Sequence, residues 1–233
     1  MSPLNEPAPG LDLARDGAAH WRAAVPPRQI DDLIAELAAH AQVEPGRAGT
    51  RSLLAQPWCR ALAAQLRDHP ALQPSLAGLV AVQCTYFEKS TALNWLVTLH
   101  QDLSVPVAGR IDAPGWQGWA EKEGQWFAQP PAEVLGSLLA VRLHLDRCGI
   151  DDGPLRVVPG SHLHGRLDDE AARQWRERCG EITCLAEPGD VLALRPLTLH
   201  ASSKARGTSP RRVLHIVYGP ASLPDGARWA ITA

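Results

Sequence analysis

Hydrophobic positions change their period along the chain, and that change predicts where helix gives way to strand. In "RQIDDLIAELAAHAQV", Ile30, Leu33, Ile34 and Leu37 recur at three- and four-residue spacing. "TRSLLAQPWCRALAAQLRDH" repeats the pattern, with Thr50 placed to cap a second helix. Beyond Pro74 the composition shifts to β-formers. "GLVAVQCTYFEK" predicts one strand and "LNWLVTLHQDLSVP" the next. "SLLAVRLHLD" alternates, with Leu139, Val141, Leu143 and Leu145 on one face and Arg142, His144 and Asp146 on the other. "GPLRVVPGSH" predicts a short strand running into a turn, and "DDEAARQWRERCG" a helix starting at Asp168 or Asp169 and stopped by Gly180. Two short strands across the Pro188-Gly189 turn and a last strand, "RRVLHIVYG", complete the pattern.

Residues 103–132 break it. They have poor periodicity and many Gly and Pro residues, and include Trp116, Trp119 and Trp126. A loop this long in a compact domain is usually functional or disordered, and tryptophans argue against disorder. The segment therefore reads as a loop serving as a lid. Helices first, then short strands broken by turns, predict a mainly β fold: a sandwich or jelly roll with N-terminal helices packed outside. The 233 residues are read as a single domain, 1–233. It divides into a helical part (1–75), a β core (76–219) and a tail (220–233).

Composition narrows the function classes. A net charge of -2 gives no electrostatic footprint for nucleic acid. The five cysteines are odd in number and form no CxxC pair, so neither a zinc ribbon nor a disulfide framework is indicated. No basic start followed by an apolar run marks a signal peptide, and no stretch approaches the ~20 apolar residues of a membrane span. The expectation is a cytoplasmic protein with neither a nucleic-acid nor a membrane partner, acting on a small molecule. Its oligomeric state is not legible.

The chemistry concentrates at His100 and Asp102. Two residues apart on a strand, they point to one side, with Gln101 opposite. A carboxylate buried in an apolar strand needs a partner, and a divalent metal is one candidate. His200, between a strand and a loop, is the best placed third ligand. Together the three form a two-His-one-carboxylate set with open positions, suited to non-haem Fe(II) and acceptable to zinc. Spacing does not make the set unique, because "RLHLD" offers His144 and Asp146 at the same interval. Asn94 and Thr98 share the face of His100 on a regular strand and are candidate pocket residues. A basic Arg142 in the pocket favours a carboxylate-bearing substrate.

"NWLVTLHQDLSVP", "GPLRVVPGSHLHG", "EPGDVLAL" and "LHASSKARGTSPRRVLHIVYG" occur in an order and spacing that resemble the phytanoyl-CoA dioxygenase family over roughly residues 80–219. The resemblance implies a double-stranded β-helix and an enzyme dependent on Fe(II), 2-oxoglutarate and O2. It selects His100 and Asp102 over the rival pair, because the HxD motif of the family lies well upstream of the Pro-Gly-Ser-His turn. His144 and Asp146 become pocket or structural residues, and His162 belongs to the turn motif. The resemblance also implies a 2-oxoglutarate-binding arginine eleven residues beyond the second His, which is Arg211. Arg212 faces the other way. Ser202 adds a hydroxyl to the same carboxylate, and Gln101 or Lys89 touches the cosubstrate. Related halogenases have a small residue in place of the carboxylate, so Asp102 implies hydroxylation, with succinate and CO2 released. The residues leave two alternatives: a cupin-like divalent-metal isomerase or hydrolase, or a non-catalytic domain that binds 2-oxoglutarate.

Overall fold

The structure, a computed structural model, describes residues 10–40, 49–90, 93–207 and 210–233. The first helix, α1 (Pro27–His40), buries Ile30, Leu33 and Leu37. Residues 41–43, which end its predicted span, lie outside the described residues. The second helix, α2 (Pro57–Asp68), starts six residues later than the pattern suggested. Thr50 caps nothing. It pairs with Tyr86 in a two-residue strand, and its hydroxyl donates to Glu123 at 2.9 Å. A proline at the first helical position sets the true start of α2. A one-turn helix, α3 (Gln73–Leu76), follows.

Three antiparallel sheets hold the rest. In chain order the strands are β1 (Ala18–Trp21), β2 (Gly49–Thr50), β3 (Leu79–Lys89), β4 (Val97–His100), β5 (Val105–Val107), β6 (Gln117–Lys122), β7 (Gln125–Gln129), β8 (Leu139–His144), β9 (Leu155–Val157), β10 (Ile182–Cys184), β11 (Val191–Leu194), β12 (His200–Ser202) and β13 (Arg211–Pro220). A six-stranded sheet runs β1-β11-β8-β13-β3-β2, and a four-stranded sheet runs β10-β9-β12-β4. One apolar cluster joins α1 and α2 to the outer face of the larger sheet through Leu139, Val141, Leu143, Leu214 and Ile216. The Tyr218 hydroxyl donates to the Ala63 carbonyl of α2 at 2.8 Å and ties the two layers. A second cluster, with Ala140, Val157, Leu192 and Val217, fills the space between the sheets. This is the expected double-stranded β-helix with helices packed outside it. No helix among the described residues is long and apolar enough to cross a membrane.

The segment 103–132 is not a loop. β5, β7 and β6 form a third sheet, and Lys122 pairs with Gln125 across a two-residue turn. Both turn residues have positive φ, 52° at Glu123 and 72° at Gly124, the twist that suits a tight hairpin. A short helix, α4 (Ala132–Gly136), leads back into β8. Later, Asp168 caps α5 (Asp169–Cys179) by accepting from the Ala171 amide at 2.8 Å, as its sequence suggested.

The Pro188-Gly189 turn requires its glycine. Gly189 has φ +88°, and a Cβ there would lie 2.1 Å from the Val25 carbonyl oxygen, on the segment entering α1. Gly189→Ala is expected to cost roughly 2 to 3 kcal/mol, lowering the melting temperature by about 4 to 12 °C. Gly136→Ala, with open space around its Cβ and no positive φ, is the neutral control in the same thermal melt.

Candidate metal centre

β4 and β12 are neighbours in the four-stranded sheet, and their register sets His200 directly opposite His100. The two rings lie 4.2 Å apart, centre to centre. Each ring is oriented by its own strand: His100 Nδ1 donates to Thr98 O at 2.9 Å, and His200 Nδ1 donates to Thr198 O at 2.9 Å. A donating Nδ1 leaves Nε2 as the bare lone pair, which is the form a metal takes. Asp102 lies two residues past the end of β4, where its amide donates to Pro196 O at 2.9 Å. Its carboxylate stands 3.6 Å from His100 Nε2 and 3.7 Å from His200 Nε2. One donor from each residue therefore falls within 4.8 Å of the others. Among the described residues this is the one such cluster, and its three donors fit a divalent ion with positions left open.

Electrostatics favour the ligating forms of His200 and Asp102 but not of His100. Burial pushes His200 down to about 4 even though Asp102 pulls the other way. Burial also lowers His100, but the hydrogen bond and charge of Asp102 outweigh it and leave the ring above its ordinary value. For Asp102, burial opposes ionisation. His200, the hydrogen bond from His100 and His215 prevail and hold the carboxyl well below the usual range.

These residues line a cavity of about 500 Å³ between the sheets. Its deeper wall, on the inner face of β8 and β13, is cationic. Arg142 and Arg211 are both buried and line it, and the Nε of each has no hydrogen-bond partner. Arg211 donates to Gly153 O at 3.0 Å, and Arg142 to His215 Nδ1 at 3.1 Å. Burial and the neighbouring Arg211 push Arg142 down to about 10. Burial and Arg142 likewise push His215 down to about 3, so its Nδ1 is free to accept. The His215 Nε2 lies 4.0 Å from Asp102, linking the cationic wall to the metal cluster. Lys89, fully buried on β3, donates to Ser202 Oγ at 2.6 Å and Ser203 O at 2.7 Å. Burial, then Arg211 and Arg142, push it down to about 7. Buried guanidiniums with donors still free, beside a metal-ready cluster, fit a carboxylate ligand.

Arg212 points the other way. It grips Asp146 with two hydrogen bonds of 2.8 and 2.7 Å. That pair removes Asp146 from the rival HxD reading. Its companion His144 is buried with both ring nitrogens unpartnered, lies outside the cavity lining and joins no donor cluster.

Other expected residues take different roles. The Gln101 carboxamide donates to Gly165 O at 2.8 Å and Leu197 O at 2.7 Å, and accepts from the Leu167 amide at 2.9 Å. It ties two backbone segments, residues 165–167 and Leu197, together beside the ligand pair and has no donor left for a cosubstrate. Asn94 clasps the backbone of Ala205, accepting at 2.8 Å and donating at 2.7 Å, and Thr98 is exposed. Neither lines the cavity: Asn94 lies outside the regular strand, and a register shift between Val97 and His100 breaks the alternation that would put Thr98 on the face of His100. Trp116 and Trp119 stack on each other away from the cavity, and Trp116 Nε1 donates to Asp225 at 3.0 Å. They pack the core and do not form a lid. The segment 103–132 reaches the cavity through Ser104, Lys122, Phe127 and Gln129, which the loop reading passed over.

A family model described as phytanoyl-CoA dioxygenase (PhyH) matches residues 13–213. No curated protein matches the chain. Among solved structures, the epimerase SnoN in complex with Fe3+, alpha ketoglutarate and nogalamycin RO is 18% identical, with a TM-score of 0.64 over 92% of this chain and 88% of SnoN. EctD from S. alaskensis with bound Fe is 20% identical, with a TM-score of 0.63 over 90% of this chain and 74% of EctD. HygX from Streptomyces hygroscopicus, with nickel, 2-oxoglutarate and hygromycin B bound, is 18% identical, with a TM-score of 0.59 over 89% of this chain and 84% of HygX. At these identities the likeness is one of fold.

Proposed function

The chain belongs to the phytanoyl-CoA dioxygenase family, and from that premise we propose that it is an Fe(II)- and 2-oxoglutarate-dependent dioxygenase that hydroxylates an unactivated C–H bond of a small molecule. The observation that carries the reading is the convergence of His100, Asp102 and His200 beside an inward-facing Arg211. The first three hold the metal. Arg211 takes the distal carboxylate of 2-oxoglutarate, with Ser202 and Lys89 behind it. When bound, the metal and cosubstrate supply the oxidising chemistry, using O2 and releasing succinate and CO2. The protein supplies orientation and shelter. Thr98 and Thr198 fix the histidine tautomers through their carbonyls. Gln101 holds the backbone between the two HxD ligands. The apolar walls at Leu138, Leu155 and Val217 keep water scarce. An inward arginine has no task in a metal isomerase or hydrolase that lacks 2-oxoglutarate, which counts against that alternative.

The SnoN structures, described as those of an epimerase, give a second outcome for the same constellation. Reaction with Fe(II), 2-oxoglutarate and labelled O2 separates them. Succinate formation with one labelled oxygen atom added to the product is expected. Succinate with a product of unchanged mass and inverted stereochemistry would favour epimerisation. The absence of succinate under every condition would remove the oxygenase reading.

A further inference from the structure

Lys122 ends β6, and its ammonium faces the main cavity from the three-stranded sheet, across from the floor of β8 and β13. It donates to Ser104 Oγ at 3.3 Å and stands 4.7 Å from the centre of the Phe127 ring. Lys122 also borders a second chamber of about 210 Å³, which shares Arg51, Gln83 and Phe127 with the first. It therefore stands where the two chambers meet.

The charges lining the main cavity do not balance. Arg51, Lys122, Arg142 and Arg211 line it, and Asp102 is the one carboxylate among its lining residues. Arg51 has Glu123 at 3.2 Å, but Lys122 has no carboxylate in ion-pair reach among the described residues. This step rests on the reading proposed above. A divalent metal with Arg142 and Arg211 already offsets Asp102 and both carboxylates of 2-oxoglutarate. Lys122 gains no counterion from them. Burial and Arg51 both act against its charge, and Asp102 is the one group nearby that supports it. A lone ammonium with one hydroxyl beside it, close to the Phe127 ring in a cavity also lined by the apolar Val97 and Leu103, has donors for a single carboxylate. A phosphate, with more charge and more acceptor oxygens, would call for a denser set.

We infer that the substrate carries a carboxylate, and that Lys122 with Ser104 holds it at the junction of the two chambers. The rest of the molecule then reaches along the apolar wall toward the metal cluster. The geometry makes Lys122 a specificity-determining residue on the substrate side, separate from the arginine wall that serves 2-oxoglutarate.

The test uses protein loaded anaerobically with Fe(II) and saturating 2-oxoglutarate, so that Arg211 is occupied. Hexanoate, octanoate, cyclohexylacetate and phenylacetate are titrated beside their primary amides. Binding is read from tryptophan fluorescence, because Trp95 lines the cavity. At least one acid is expected to bind ten times or more tighter than its amide. Lys122→Met should bring that ratio below two, and Lys122→Arg should keep it. Equal binding of acids and amides, a preference that survives Lys122→Met, or no binding by any acid would each overturn the inference. The visible absorption band of the Fe(II)–2-oxoglutarate complex is recorded in the same samples. Its absence from wild type would count against the oxygenase reading alone, since the acid-against-amide comparison is still read by fluorescence.

Discussion

Asp102→Ala is expected to abolish the visible charge-transfer band of the Fe(II)–2-oxoglutarate complex and to lower succinate formation by at least about 10³-fold. Three donors hold the ion, and Asp102 is the charged one, lying between the two Nε2 atoms at 3.6 and 3.7 Å. Losing even an outer partner of a metal ligand typically costs ~10- to 100-fold, so losing the anionic ligand itself costs more. The carboxylate also holds His100 and His200 in one cluster. Without it their lone pairs face a site with no negative charge to offset a divalent ion. His100→Ala and His200→Ala should lose the band as well. Asp146→Ala should keep it, because that carboxylate serves Arg212 on the other side of the strand. Anaerobic absorption spectra of the four variants decide the matter. A band that persists in Asp102→Ala and vanishes in Asp146→Ala would transfer the site to the rival motif.

That rivalry shows where the sequence was sufficient and where it was not. Two HxD pairs occur, and spacing alone ranks them equally. The structure separates them by where each strand ends. β4 stops at His100, which frees Asp102 to turn back toward its neighbour, and the opposite strand supplies His200 in register. β8 stops at His144, and Asp146 is drawn to Arg212. Which partner a side chain meets across a sheet is a long-range fact that a local pattern does not contain. Alternation along β8 was legible because both of its faces are defined, one by the helices and one by the cavity.

The segment 103–132 failed for a different reason. Its glycines and prolines obscured three short strands, and of the Glu123-Gly124 pair between "QGWAEK" and "QWFAQ" only the glycine is a hairpin cue, because Glu is not a usual first residue of such a turn. Reading it would have placed Lys122 on a strand. The tip of that hairpin is also anchored: Glu123 accepts from the Arg51 amide at 2.8 Å and from the Thr50 hydroxyl at 2.9 Å. Thr50 looked like a helix cap because it precedes an apolar run, but a tertiary partner claimed its hydroxyl. Gln101 was misjudged by the same logic. Its position beside two ligands suggests contact with the cosubstrate, whereas burial obliges its amide to satisfy backbone groups first.

Arg211 and Arg212 give the sharpest test of how side-chain direction becomes function. Arg211→Met should raise the 2-oxoglutarate concentration for half-maximal succinate formation by roughly 100-fold, the effect of removing about 3 kcal/mol of charge-assisted hydrogen bonding. Its guanidinium is buried, donates once to Gly153 O, and keeps an unpartnered Nε. Replacing it by methionine, which matches the arginine stem out to Nε and leaves the rest of its volume to the existing cavity, removes a buried charge, so the fold should tolerate the change. Arg211→Lys should recover only part of the affinity, since an ammonium does not reproduce the planar fork. Arg212→Met breaks a largely buried, bidentate pair with Asp146 and should cost about 1 to 3 kcal/mol of stability, leaving the 2-oxoglutarate response unchanged. Measuring succinate release against 2-oxoglutarate concentration for the three variants, with thermal melts alongside, separates binding from folding. If Arg212→Met shifts the half-maximal concentration and Arg211→Met does not, the assignment is reversed. If neither shifts it, the cationic wall of β8 and β13 does not serve the cosubstrate.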